Sequence, residues 1–147
     1  MIQIETTSHD PFFNQAFEDY VFRTYREGDV LLLWRNRPAV VVGCYQNICR
    51  EVHMRALLDR GIPVVRRMSG GGTVYHDLGN LNYTLISDQT GPLDYDRCLE
   101  PVIRALNALG VPAQKNRTCD IAVDGKKISG SAQKLSLIHI SEPTRPL

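Results

Sequence analysis

The chain has 147 residues, enough for one domain with a real core, and its 43% hydrophobic and 22% charged content excludes disordered and fibrous classes. Its 17 Lys and Arg against 16 Asp and Glu leave a formal net charge of +1 with no basic block, which argues against a nucleic-acid partner. Cys44, Cys49, Cys98 and Cys119 form no Cys-x-x-Cys pair, so neither a zinc knuckle nor a thioredoxin-like motif is expected.

The start, Met1 to Glu5, carries no basic segment and no long apolar run, and the apolar stretches Val30–Trp34 and Ala39–Val42 are far too short to span a bilayer. A cytoplasmic protein with reduced thiols and no membrane partner is expected.

Residues Ile2 to Thr6 alternate apolar and polar, as an edge strand does. Asp10-Pro11 reads as an N-cap with proline at the first helical position, opening a helix that ends near Gly28. Phe13, Ala16, Phe17, Tyr20, Val21 and Tyr25 fall at helical spacing and predict its core face. Val30–Trp34 and Ala39–Gly43 flank Arg35-Asn36-Arg37-Pro38 and predict an antiparallel hairpin. Gly43 to Asn47 is polar and aromatic just past a strand end, with a plain loop the simpler reading. Val52 to Arg60 predicts a short helix stopped by Gly61 and Pro63.

Ile62-Pro63-Val64-Val65 then reads as a buried strand, closed by Arg66 and Arg67. Three consecutive glycines, Gly70, Gly71 and Gly72, follow, and a second strand-like run begins at Thr73. Ordering glycine costs the most backbone entropy. Such a triplet suits a place where backbone N–H groups must approach something bulky and negative, and arginines beside it suit a phosphate or carboxylate. A glycine-rich hairpin with solvated arginines is the plainer alternative.

Asn82 to Ser87 predicts a strand, and Asp88 to Leu93 a loop. Asp94 caps a helix over residues 95–109, with Leu99, Val102, Ile103, Leu106 and Leu109 as its apolar stripe. Pro101 inside that span predicts a late start or a bend. Asp124-Gly125, between Asp120–Val123 and Lys127–Ser129, is the strongest short hairpin signal in the chain. The whole pattern predicts an α+β fold, a mixed and largely antiparallel sheet with packed helices. Residues 136–147 hold two prolines and no clear period. They resemble translated sequencing-adapter read-through, and an artefactual or disordered tail is expected there.

Candidate chemistry gathers on Arg67, the glycine triplet, His76, Asn80 and Lys127, the last opening a second small-residue segment, Lys127 to Ala132. An exposed hairpin lysine is the commoner fate of such a residue. Neither G-x-x-x-x-G-K-[ST] nor G-x-G-x-x-G occurs, so a nucleotide would be bound by another geometry.

Residues 66–80, Arg-Arg-Met-Ser-Gly-Gly-Gly-Thr-Val-Tyr-His-Asp-Leu-Gly-Asn, together with Lys127-Ile128-Ser129-Gly130-Ser131-Ala132, resemble the lipoate–protein ligase A / lipoyltransferase family. Asp10-Pro11-Phe12-Phe13-Asn14, Leu33-Trp34-Arg35-Asn36, Gln46-Asn47 and residues 106–110 support the resemblance, which covers residues 1–135 as part of a biotin/lipoate ligase-like catalytic domain. The resemblance implies activation of lipoate with ATP to a lipoyl-adenylate. Transfer to a lysine follows, on the lipoyl domain of a 2-oxoacid dehydrogenase E2 subunit or on the glycine-cleavage H protein.

By the same resemblance Lys127 is the catalytic lysine, touching both ATP and lipoate. Arg67, Gly70, Gly71, Gly72, Thr73, Val74 and Tyr75 bind the adenylate, with His76 and Asn80 in support. Asp120 lies near the adenylate, through Mg2+, and Trp34 lines the lipoate pocket. Cys44 departs from the family, where many relatives carry a basic residue. The resemblance stops near Leu135, where relatives continue, and an impaired activity of the chain is expected on that account. Two alternatives remain open: an octanoyltransferase working through a thioester on Cys119 without ATP, and a non-catalytic binding subunit.

Overall fold

The structure, a computed structural model, describes residues 1–25, 28–87 and 94–134. The expected loop at 88–93 and the tail at 136–147 lie outside the described residues. The elements run β1 (Ile2–Glu5), α1 (Pro11–Thr24), β2 (Val30–Trp34), β3 (Ala39–Val42), α2 (Ile48–Glu51), α3 (Met54–Asp59) and β4 (Val64–Arg66). They continue as β5 (Val74–His76), β6 (Asn82–Ile86), α4 (Tyr95–Ala108), β7 (Ala113–Lys115), β8 (Ile121–Val123) and β9 (Lys126–Ser129). This is the expected α+β class, with the strands divided among three small sheets.

The first sheet has the order β1-β2-β6, with β1 parallel and β6 antiparallel to β2. Val30, Leu32 and Trp34 of β2 point to the core while Leu31 and Leu33 are less enclosed, the period of two that a half-covered strand shows. The second sheet places β3, buried at every residue, between parallel β4 and antiparallel β5. The third is an antiparallel meander of β7, β8 and β9. Its β8–β9 turn is the expected one, since Asp124 and Gly125 both have positive φ, 48° and 75°, as a type I′ turn requires.

The two long helices begin where their caps predict. Asp10 accepts from the Phe12 N–H, and Asp94 from those of Asp96 and Arg97. The second runs through Pro101 from Tyr95 and does not start late. Leu99 is buried against Ala113 and Ile121, with Val102, Ile103 and Leu106 packed around them, whereas Leu109 is exposed. Within the expected helix over 52–60 only α3 is helical, capped by His53 through the Ala56 N–H, and extended Val52 parts it from α2, a turn of helix that the sequence did not signal.

Two expectations give way to one buried cluster. Asn14 and Asn36 are 1% and 0% exposed, and Asn14 Nδ2 donates to Ser8 O, Arg35 O and Asn36 Oδ1 at 3.0, 2.9 and 2.9 Å. Satisfying these polar groups turns α1 so that Pro11, Asn14 and Val21 face inward. Phe13 and Tyr20 of the expected core face are instead 49% and 63% exposed. The same contacts draw the Arg35–Pro38 segment toward the start of α1, where Arg37 N–H donates to His9 O at 2.8 Å. The segment therefore does not turn back on itself, and β2 and β3 enter different sheets rather than forming a hairpin.

Truncating Asn14 to alanine leaves the Asn36 oxygen and two carbonyls short of a donor in a buried site. Urea denaturation of Asn14→Ala is expected to show a loss of about 2–4 kcal/mol. A loss under about 1 kcal/mol would mean that the cluster does not set the helix orientation.

Candidate active site

The backbone leaves β4 at Arg66 and Arg67, and both guanidinium groups turn onto carbonyl oxygens. Arg66 Nη1 donates to the carbonyls of Gly43, Cys44 and Gln46 at 2.8, 3.1 and 2.8 Å. Arg67 donates through Nη2 to Gly70 O and Gly72 O, both at 2.7 Å, and through Nη1 to Val41 O at 3.3 Å. Burial lowers the pKa of Arg67, and the nearby charge of Glu18 opposes that shift.

This arrangement decides where the loop's donors face. No peptide bond here is cis, and in a trans peptide the C=O and N–H point in opposite directions. With the carbonyls of Gly70 and Gly72 on Arg67, the N–H groups of Gly71 and Thr73 turn away from it. None of the N–H groups of Gly71, Gly72 and Thr73 donates to an acceptor among the described residues.

Among the described residues, contacts call for glycine at only one of the three positions. Gly71 has φ +94°, and a Cβ there would lie 3.0 Å from Arg67 Nη2. A Cβ at Gly70 or Gly72 would meet no atom of the described residues, chain neighbours aside, within 4 Å.

Behind the loop is a polar set that sequence reasoning missed in part. Trp34 Nε1 donates to Thr84 Oγ1 at 3.3 Å, and Thr84 Oγ1 donates to Glu18 Oε1 at 2.6 Å. Burial raises the pKa of Glu18, more than the Thr84 hydrogen bond and the Arg67 charge lower it. The ring of His76 lies 5.9 Å from that of Trp34, and Asn36 Nδ2 meets His76 Nδ1 at 3.2 Å. Burial, then Arg67, lowers the pKa of His76, which suits a neutral ring accepting from Asn36. Trp34 also lines a cleft of about 530 Å³ with Leu33, His9, Leu78 and Leu81. Asn80 sits in the exposed turn beyond His76, its N–H donating to Asp77 O at 3.0 Å. Glu18 lies four residues after Asn14, and only the fold shows that this face of α1 turns inward, so nothing in the sequence signalled it. Gln46, whose Oε1 accepts from Gly43 N–H and Thr73 Oγ1, was signalled as part of a polar loop and of the Gln46-Asn47 family match, but not in this role.

Lys127 and Asp120 form a second cluster on β9 and the approach to β8. Lys127 Nζ lies 3.0 Å from Asp120 Oδ2, and Thr118 Oγ1 donates to the same oxygen at 2.8 Å. Gly130 lets the lysine lie across it, since a Cβ there would stand 3.1 Å from Lys127 Cε and Nζ. Burial alone would raise the Asp120 pKa, but hydrogen bonds from Lys127, Thr118 and the Ser131 backbone bring it below the usual value. Among the described residues no hydrogen bond or ion pair joins this cluster to the glycine loop. No group of three His, Cys, Asp or Glu side chains among them is placed to hold a metal, and no described helix is long and apolar enough to cross a membrane.

The family model for the lipoyl protein ligase A/B catalytic domain matches residues 10–139. Lipoate-protein ligase LplJ of Bacillus subtilis is 44% identical over 128 residues, covering 85% of this chain and 39% of that protein. The mitochondrial lipoyl amidotransferase LIPT1 of Mus musculus is 41% identical over 139 residues, 90% of this chain and 36% of that protein. The solved structure of lipoate-protein ligase A bound with ATP matches with a TM-score of 0.81 at 28% identity, over 92% of this chain and 60% of that one. The chain thus spans 36–39% of the length of these two curated relatives.

Glu18 supplies a test of the polar set. A carboxyl whose folded pKa is raised above its ordinary 4.5 carries no penalty below that value, and the penalty grows as pH rises through the folded pKa. Glu18→Gln keeps an acceptor for Thr84 without the charge. Its melting temperature should exceed that of wild type at pH 7, with the gap closing as pH falls below 4.5. A gap that is constant with pH would exclude burial of the charge as the cause.

Proposed function

The chain belongs to the lipoyl protein ligase A/B catalytic-domain family, and on that premise we propose that it serves ATP-dependent activation of lipoate and transfer of the lipoyl group to protein. One observation carries the nucleotide part of this reading. The glycine loop is held by Arg67 with donors outward, and the described residues give no steric reason for glycine at positions 70 and 72. A ligand approaching the backbone gives that reason, and a row of N–H groups suits phosphate oxygens.

In the reaction a carboxylate oxygen of lipoate attacks the α-phosphorus of ATP and pyrophosphate leaves. The lysine amine of a lipoyl-domain acceptor then attacks the acyl carbon of the adenylate, and AMP leaves. The acceptors we propose are 2-oxoacid dehydrogenase E2 subunits and the glycine-cleavage H protein. The N–H groups of the loop stabilise charge on phosphate, with Gly70 to Tyr75 as the adenylate-binding stretch. Arg67 acts by shaping that stretch, and His76 and Asn80 support it. Lys127 is assigned to the charge that builds between substrate carboxylate and α-phosphate, so it acts on the transition state more than on the ground state. Trp34 and its cleft are assigned to the lipoyl chain.

Asp120 is the carboxylate we assign to Mg2+, which takes one or two carboxylates plus phosphate oxygens and spreads phosphate charge when bound. The free thiols of all four cysteines suit a reducing compartment, cytoplasmic in our reading.

The identity to LIPT1 favours a second reading, an amidotransferase that starts from an already activated lipoyl group. A thioester on Cys119 draws less support, because that side chain packs against the Leu99, Ala113 and Ile121 cluster as a small hydrophobe. Lipoate-dependent exchange of pyrophosphate into ATP separates the readings, since only adenylation produces it. Lys127→Ala is expected to lower that exchange by about 10²–10³-fold. Exchange within about threefold of wild type would mean that Lys127 does not stabilise the adenylating transition state.

A further inference from the structure

Gln46 stands in the loop after β3, and two donors from different parts of the chain converge on its side-chain oxygen. Gly43 N–H and Thr73 Oγ1 each donate to Gln46 Oε1 at 2.8 Å. An amide oxygen has two lone pairs, so both bonds are satisfied at once and the acceptor is filled by protein. Gly43 in turn presses on the glycine loop: a Cβ built there would stand 2.1 Å from Gly71 O and 3.3 Å from Gln46 Oε1. Cys44 N–H donates to Ser69 O at 2.9 Å, and Arg66 holds the carbonyls of residues 43, 44 and 46 from the other side. Residues 43–46 therefore form a mould into which residues 69–73 are pressed.

We propose that Gln46 is a positioning residue for the nucleotide, setting the direction of the Gly72 N–H group by holding Thr73 against the Gly43 turn, on which Gly71 O rests. The proposal rests on the adenylating reading above and adds a residue that touches no substrate. Arg67 holds the carbonyls of Gly70 and Gly72 and with them the N–H groups of Gly71 and Thr73, but the peptide between them, which carries Gly71 O against Gly43 and the Gly72 N–H, has no such hold and can rotate. The Gln46–Thr73 bond removes that freedom. Preorganised donors cost no reorganisation when the anion arrives, so loosening them weakens ATP binding in particular.

The test is a double-mutant cycle read by calorimetric titration of the whole chain with ATP. Gln46→Met keeps the length and removes the acceptor, and Thr73→Val removes the same bond from its other end. Each single change is expected to weaken ATP binding by about three- to tenfold, and the double change no more than the worse single one. Hydrogen exchange at the Gly43 amide should accelerate in Gln46→Met and stay slow in Gln46→Glu, which keeps an acceptor. Additive losses, or a lowered melting temperature with unchanged ATP binding in either single variant, would overturn the proposal and leave Gln46 a loop brace. If Gln46→Met does not fold, Thr73→Val alone decides: wild-type ATP affinity there overturns it. Wild type that fails to bind ATP would instead sink the adenylating reading, and that outcome shows in wild type alone.

Discussion

Everything about the candidate site depends on where one guanidinium group points. Arg67 is half-buried, which is unfavourable for a cation, and the loss is offset by carbonyl oxygens of Val41, Gly70 and Gly72 and by the charge of Glu18. Those carbonyls belong to the central strand of one sheet and to the loop that leaves its edge, so a single side chain ties the loop to the core. The planar peptide then converts inward carbonyls into outward N–H groups. The glycine at position 71 follows from the same contact, through its positive φ and its clearance from the Arg67 Nη2 atom.

A second constraint explains why helix α1 sits as it does. A helix with phenylalanine and tyrosine at helical spacing would bury them if area alone decided, at about 25 cal/mol per Å² of apolar surface. Here the buried asparagine pair decides, because an unsatisfied amide in the core costs more than an exposed aromatic ring that keeps a stacked neighbour. Phe13 and Phe17 stack at 5.8 Å, which recovers part of the exposed area. The turn of the helix brings Glu18 under Thr84 and Trp34, and the Asn36 contact brings His76 beside the same indole. The polar set behind the glycine loop is therefore a consequence of how α1 is held.

What the sequence made legible follows the range of each interaction. The caps at Asp10 and Asp94 and the Asp124-Gly125 turn were readable because each is settled within about four residues. The separation of β2 from β3 was not, since it depends on Asn36 meeting Asn14 across 22 positions. Strand β7 escaped notice because three residues, Ala113 to Lys115, offer no period to read. The same division holds in the site. The motif residues could be picked out by type, but a run of letters carries charge without direction. Arg66 and Arg67 read as anion ligands at the loop mouth, and only the folded chain shows both turned onto carbonyls. Glu18 carries no motif, and the Gln46-Asn47 match gives Gln46 no role; the contacts of Gln46 and Glu18 emerge through partners 27 and 66 positions away.

The two cations singled out by sequence therefore differ in what they can do. In our reading Arg67 acts mainly through the carbonyls that shape the loop, since an anion that displaced them would disturb its own binding site. Lys127 is placed differently. Its side chain is 57% exposed, and its ionic partner among the described residues is Asp120, 3.0 Å away. Only the lysine end of the pair is open to solvent, the Asp120 side chain being 12% exposed, so the lysine is the partner that can reach a phosphate oxygen. Asp120 keeps Thr118 and the Ser131 backbone when the lysine leaves, and its charge stays solvated by those donors. In our reading the protein divides its work on that basis: donors that must not move are built from backbone around Arg67, and the charge that must follow the reaction is left on Lys127.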